Sequence, residues 1–199
     1  MKKTLKTVLF LAFLCMTCCT ISLKATSKDI CAAQTQKTTK AYKKYLKKHV
    51  SKNKRYAIVN IGDNNKPALL IGSSNTMDYA GNGKNFGCSV YYYQNGKIKK
   101  VCGFSGARRI SLRKKNKKYY IYTGASDVSE NLRIQKGKAY KAGYYNCHKK
   151  IPEDCWKKSK ITLGKKTIKN YGYLSAEQYV KYRDSYKHIR EITFKKNKK

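Results

Sequence analysis

Cys88-Ser-Val-Tyr-Tyr-Tyr-Gln-Asn-Gly-Lys-Ile-Lys-Lys-Val-Cys102 is the stretch that decides the fold. Two runs rich in Val, Ile and Tyr flank Asn95-Gly96, the residue pair best suited to the left-handed corner of a tight hairpin. With the loop drawn as Gln94-Asn95-Gly96 and Gly96 left-handed in a bulge, Cys88 falls opposite Cys102. Cys88, Val90, Tyr92, Ile98, Lys100 and Cys102 then share one face. Tyr91 and Tyr93 sit opposite Lys99 and Lys97 on the other. This register predicts a cross-strand Cys88–Cys102 disulfide.

The same punctuation recurs on both sides of the hairpin. Before it, Arg55–Ile61 and Ala68–Gly72 read as strands around a Gly-Asp-Asn-Asn-Lys-Pro turn. After it come Arg109–Arg113 with Tyr119–Thr123, Asn131–Gln135 with Ala139–Tyr145, and Ile161–Leu163 with Thr167–Asn170. Residues 28–50 carry a helical period instead, with Tyr42, Tyr45, Leu46, His49 and Val50 on one stripe. Ser175-Ala-Glu-Gln178 is a capping box opening a second helix, with Tyr179, Val180, Tyr182 and Tyr186 expected on its buried side. Ile192–Phe194 is expected to return as an edge strand. The fold expected is mainly β (α+β), an antiparallel meander of hairpins flanked by an N-terminal and a C-terminal amphipathic helix. Residues 28–199 make its single domain.

Residues 1–27 read as a secretory signal peptide: Lys2, Lys3 and Lys6, the apolar run Thr7–Cys19, then Ala25-Thr26-Ser27 as a small-residue cleavage site. The run falls short of the roughly 20 residues of a spanning helix. The residues before Cys15, Cys18 and Cys19 do not fit a lipoprotein pattern. Removing the leader leaves Cys31, Cys88, Cys102, Cys147 and Cys155. In an oxidising compartment this odd count suggests Cys88–Cys102 and Cys147–Cys155 pairs, with Cys31 spare. No CxxC spacing supports a zinc site.

Val59-Asn-Ile-Gly-Asp-Asn-Asn-Lys-Pro-Ala-Leu-Leu70 resembles a degraded D-x-[DN]-x-D-G-x-P-E-L-L pattern, that of the calcium-binding blades of FG-GAP and VCBS-like repeats. Residues 38–195 are similar to a loose family of small, secreted, Lys/Tyr-rich Gram-positive bacterial proteins. The resemblance rests on the helix Ala41–Lys48, the hairpin Val90–Val101 and the Lys/Tyr-rich segment Glu177–Lys187. It implies secretion or cell-surface association, and it carries no established activity. Asn60, Gly62 and Asn64 stand where the pattern has acidic ligands, and Ala68 replaces its Glu. Calcium needs several hard anionic oxygens together. The loop of Asn60, Asp63 and Asn64 is therefore expected to keep its turn and hold no metal.

Function is constrained chiefly by charge. The chain has 199 residues, 46 Lys and Arg against 10 Asp and Glu, and a net charge of +36. The leader takes four lysines and no acid, leaving +32. Lys outnumbers Arg 39 to 7, which gives diffuse, salt-sensitive attraction to anions rather than bidentate recognition. No nucleophile elbow, phosphate loop, HExxH helix or RNP-like motif is present, and no cofactor is expected. Interleaved Tyr and Lys instead suggest stacking on sugars or bases beside charge. Candidate contacts are Tyr91, Tyr93, Lys97, Lys99, Arg108, Arg109, Arg113 and Lys114. The expected function is a secreted, non-enzymatic binding module for anionic polymers: cell-wall polymer, glycan or extracellular nucleic acid. One alternative is a secreted hydrolase whose cleft is lined by Asp127, Glu130, Glu153 or Asp154. Another is an envelope structural protein crosslinked through Cys31, monomer or disulfide-linked dimer.

Overall fold

The computed structural model describes residues 27–72, 86–107, 109–124, 128–146 and 155–198. The expected leader lies outside this set apart from Ser27. Compact units are Met1–Gln34 and Thr35–Lys199; the start of α1 and Cys31 belong to the first, and the packing described below is within the second. No described helix is long and apolar enough to cross a membrane.

The architecture is mainly β, in two antiparallel sheets. In chain order the elements are α1 (Ser27–His49), β1 (Arg55–Asn60), β2 (Pro67–Gly72), β3 (Phe86–Gln94), β4 (Lys97–Ala107), β5 (Arg109–Lys115), β6 (Lys118–Gly124) and β7 (Val128–Gln135). Then follow β8 (Lys138–Asn146), β9 (Cys155–Leu163), β10 (Lys166–Ser175), α2 (Ala176–Asp184), β11 (Lys187–Glu191) and β12 (Lys195–Lys196). The first sheet runs β12-β1-β2-β3-β4 and the second β10-β9-β8-β7-β6-β5-β11. The last two strands leave the meander: β12 joins the edge of the first sheet, and β11 the edge of the second.

Local chemistry explains the hairpins. Asn95-Gly96, Asn116-Lys117 and Lys136-Gly137 all have positive φ, as mirror-image two-residue turns require. Facing sides of the sheets share one core, with Val59, Leu70 and Val90 from the first and Ile110, Ile121, Leu132 and Ile134 from the second. Ile192 and Phe194 pack into that core too, although they lie between strands rather than in one.

The key hairpin departs from its expected register. Its loop is the two residues Asn95-Gly96, pairing Gln94 with Lys97 and Tyr92 with Lys99. An extra residue, Val101, then bulges between Lys100, opposite Tyr91, and Cys102, opposite Val90. Shifting a strand by one residue exchanges its faces. Ile98 therefore packs with Tyr91 and Tyr93 on the outer side, while Lys99 flanks Tyr92. Cys88 stands opposite Phe104, so Cys88 and Cys102 are diagonal neighbours and both are free thiols. Diagonal partners lie about 7 Å apart, beyond the roughly 4 Å between Cβ atoms that a disulfide spans. Burial pushes the Cys88 thiol pKa up, and raises that of Cys102 to about 11, so both stay protonated at neutral pH.

Candidate functional site

The outer face of the first sheet is covered by α1. Tyr42, Leu46 and Val50 are buried against Leu69, with Tyr45, Tyr56, Tyr91, Tyr93 and Ile98 around them. The Tyr42 hydroxyl donates to the Pro67 carbonyl at 3.0 Å and accepts from the Tyr93 N–H at 2.9 Å. These two bonds fix the helix in register across β2 and β3. His49, expected on the buried stripe, is exposed and lies against the Tyr45 ring at 4.9 Å.

The chain's far end completes this layer. β12 pairs with β1, setting Lys196 opposite Arg55 and Lys195 opposite Tyr56. Asn197 is 5 % exposed, and its side-chain amide donates to the Val50 carbonyl at 2.7 Å and to those of Leu46 and Ser51 at 3.3 Å each. Its backbone N–H reaches the Lys54 carbonyl at 2.9 Å. Helix C-termini leave carbonyls without helical partners, and Asn197 supplies donors to them from 147 residues away.

Between helix and tail runs a groove of about 550 Å³, lined by Lys43, Leu46, Lys47, Tyr56, Lys195, Lys196, Asn197 and Lys198. Lys43 and Lys47 are one turn apart on α1 and therefore share its surface. Buried Leu46 and half-buried Tyr56 form an apolar floor. All five lysines are exposed, and no Asp or Glu is among the described lining residues. Like charges held this close create a positive potential that an anion relieves. The described lining holds no Ser, Thr, Cys, His, Asp or Glu side chain. Among the described residues, no three His, Cys, Asp or Glu come together as a metal site.

The candidate contacts read from sequence divide between the two sheets instead of converging. Tyr91 and Tyr93 are half-buried beneath α1. Lys97 is at the hairpin tip opposite Gln94. Lys99 lines a separate pocket of about 220 Å³ with Lys100, Lys138 and Gln94. On the other sheet the Arg113 guanidinium lies 3.6 Å over the Tyr122 ring, and burial holds its pKa below the ordinary arginine value. Lys114 lies 5.6 Å over Tyr119. Arg109 opens β5 opposite Gly124 with its side chain outside the described set, and Arg108 is outside it altogether.

The loop of Asn60, Asp63 and Asn64 ties the sheets together. An Asp63 carboxylate oxygen accepts from the Lys136 N–H at 3.1 Å, Asn65 donates to the Lys117 carbonyl at 3.2 Å, and the Ile134 N–H bonds the Ile61 carbonyl at 2.8 Å. Exposed Asn64 takes the left-handed conformation at φ 51. Of the carboxylates proposed for a cleft, Glu130 is 9 % exposed and paired with Lys141 at 3.0 Å. Asp127, Glu153, Asp154, Cys147 and His148 lie outside the described residues, as does the Cys155 side chain. Cys31 is an exposed free thiol on α1.

Sequence reading missed Lys43, Lys47, Tyr56 and the built-in tail. A signal was present, a basic run at 195–199 after an apolar Ile192 and Phe194, but its partner strand lies some 140 residues earlier. The chain has no significant match among protein-family models, curated proteins or solved structures.

Proposed function

We propose that this chain is a secreted or cell-surface, non-enzymatic module that holds anionic polymers in the groove between α1 and β12. The observation that carries the reading is five lysines around a Leu46/Tyr56 floor with no Asp or Glu in the described lining. Lysine ammoniums act as mobile point charges, which suits a repeating phosphate or sulfate chain and gives no sequence preference. Tyr56 adds an aromatic surface for a sugar or base. The extracellular assignment rests on the leader and on the resemblance to small secreted Gram-positive proteins.

The test compares two variants of equal charge. One replaces Lys43, Lys47, Lys195, Lys196 and Lys198 with alanine; the other replaces exposed Lys118, Lys165, Lys166, Lys181 and Lys187. Affinity for polyphosphate and heparin is measured by fluorescence anisotropy across a salt series. The groove variant is expected to lose most affinity and to flatten the log–log salt slope by about 3 to 4 units, roughly 0.7 per lost contact. The control should lose far less. Equal losses in both would mean that attraction is diffuse and the groove is not the site.

A further inference from the structure

The outer face of the second sheet, under α2, joins an apolar cluster of Tyr120, Ala142, Ile161 and Tyr186 to a row of buried polar groups. β7 supplies that row: Ser129, Asn131 and Arg133 all point to this side and are buried. Asn131 is 0 % exposed, yet neither its amide oxygen nor its amide nitrogen has a hydrogen-bond partner among the described residues. Tyr144 is 1 % exposed with its hydroxyl likewise unpartnered. The pairing explains why these groups are neighbours. Asn131 is opposite Ala142 and Ser129 opposite Tyr144, so Tyr144 sits diagonally across from Asn131 on the same face. On the other flank Asn131 is opposite Tyr122, whose ring lies beneath Arg113. The Nε atoms of Arg113 and Arg133 are also buried without a hydrogen-bond partner among the described residues. Ala142, opposite Asn131, is 1 % exposed and packs in the apolar cluster with Tyr120, Ile161 and Tyr186.

The roof is aromatic. Tyr179 and Tyr182 of α2 meet the Tyr144 ring edge-on at 5.3 and 5.2 Å. The roof is tied down at both ends. Ser175 and Gln178 form the capping box, and beyond the helix Lys115 donates to the Ser185 hydroxyl at 2.7 Å.

Buried amides and hydroxyls are almost always hydrogen-bonded, so one left open calls for either local strain or a further partner. Asn131 offers donors and an acceptor, Tyr144 one of each, and Arg113 a further donor. We propose that Asn131 and Tyr144 form a closed site under α2 for a small hydroxyl-bearing molecule. The chemistry is that of an oxygen that both donates and accepts, whether water or a hydroxyl of a sugar or polyol. Tyr122, Tyr179 and Tyr182 provide the aromatic walls such hydroxylated molecules pack against.

Tyr144→Phe removes one oxygen and leaves the packing in place; Asn131→Leu removes both open amide atoms at nearly constant volume. If the site is filled, each variant strips partners from its occupant and lowers the melting temperature by about 3–6 °C. Melting both variants alongside the wild type in a series of glucose and glycerol concentrations separates the two sources. A sugar or polyol occupant stabilises the wild type more steeply than either variant, because co-solvent exclusion acts on all three alike. Parallel slopes, with water cross-peaks to the Asn131 amide protons by NMR, identify water. If both variants are as stable as the wild type or more so, the groups are simply unpaired and the proposal is wrong.

Discussion

Asn197→Ala is the substitution that most directly couples fold to groove. The wild-type side chain gives both amide protons to carbonyls at the end of α1, the shortest bond being 2.7 Å to Val50. Two such bonds contribute about 1 kcal/mol each net, and carbonyls left dry add part of a desolvation penalty of about 1–3 kcal/mol. Alanine should therefore cost about 2–3 kcal/mol, or about 5–10 °C in a domain of this size. A second consequence concerns Lys195, Lys196 and Lys198, which the Asn197 anchor holds at the groove wall. Freeing that tail makes binding order three long side chains anew, and polyphosphate affinity should fall about tenfold. Asn197→Asp is expected to be worse than alanine in stability, because a carboxylate there confronts the negative end of the helix. Differential scanning fluorimetry and anisotropy on the same samples read both effects. A melting temperature within 1 °C of wild type would refute the capping role. A lowered melting temperature with unchanged affinity would refute the link between tail and groove.

Gly62 has extended backbone at φ −80, so its need for glycine is steric. A Cβ there would press against the Tyr92 ring and the Lys66 carbonyl. Gly62→Ala should destabilise by about 1–3 kcal/mol, the usual cost of overpacking a rigid site, and Tyr92→Leu in the same chain should recover part of the loss in urea titrations. Alkaline pH provides an independent check. Burial is the main cause that raises the tyrosine pKa of Tyr140 to about 12, and it pushes those of Tyr42 and Tyr186 higher still, against an ordinary value of 10.0. Such groups stay protonated in the fold while unfolded tyrosines ionise. Their contribution is thus complete below pH 10 and is lost as pH climbs from 10 through 12. Lysine deprotonation over the same range relieves self-repulsion and acts in the opposite sense, so absorbance at 295 nm is the decisive readout. A fraction of the tyrosines should resist ionisation until the circular dichroism signal collapses; uniform titration near pH 10 with the fold intact would contradict the buried cluster.

Sequence by itself determined the local alphabet of this protein. Alternating Tyr, Val and Ile between Asn-Gly and Lys-Gly pairs dictates antiparallel hairpins, because positive-φ turns and period-two burial are local properties. The Ser175/Gln178 capping box was legible for the same reason. One-residue decisions were not. The two-residue Asn95-Gly96 loop put Ile98 and Lys99 on the sides opposite to those expected, and the Val101 bulge then reset Cys102 against Val90, since a bulge answers to the packing of the whole strand. Val180 shows the same limit, being 42 % exposed where helical spacing had put it inside. Tyr91 and Tyr93 were visible as strand aromatics beside lysines, but only the docking of α1 decided that they support a helix. The net charge was likewise plain in the composition, whereas its concentration into a groove required β12 to return across the whole chain to β1. Long-range pairing of this kind depends on which sheet edges remain open after the hairpins form, and short-range pattern carries no record of that.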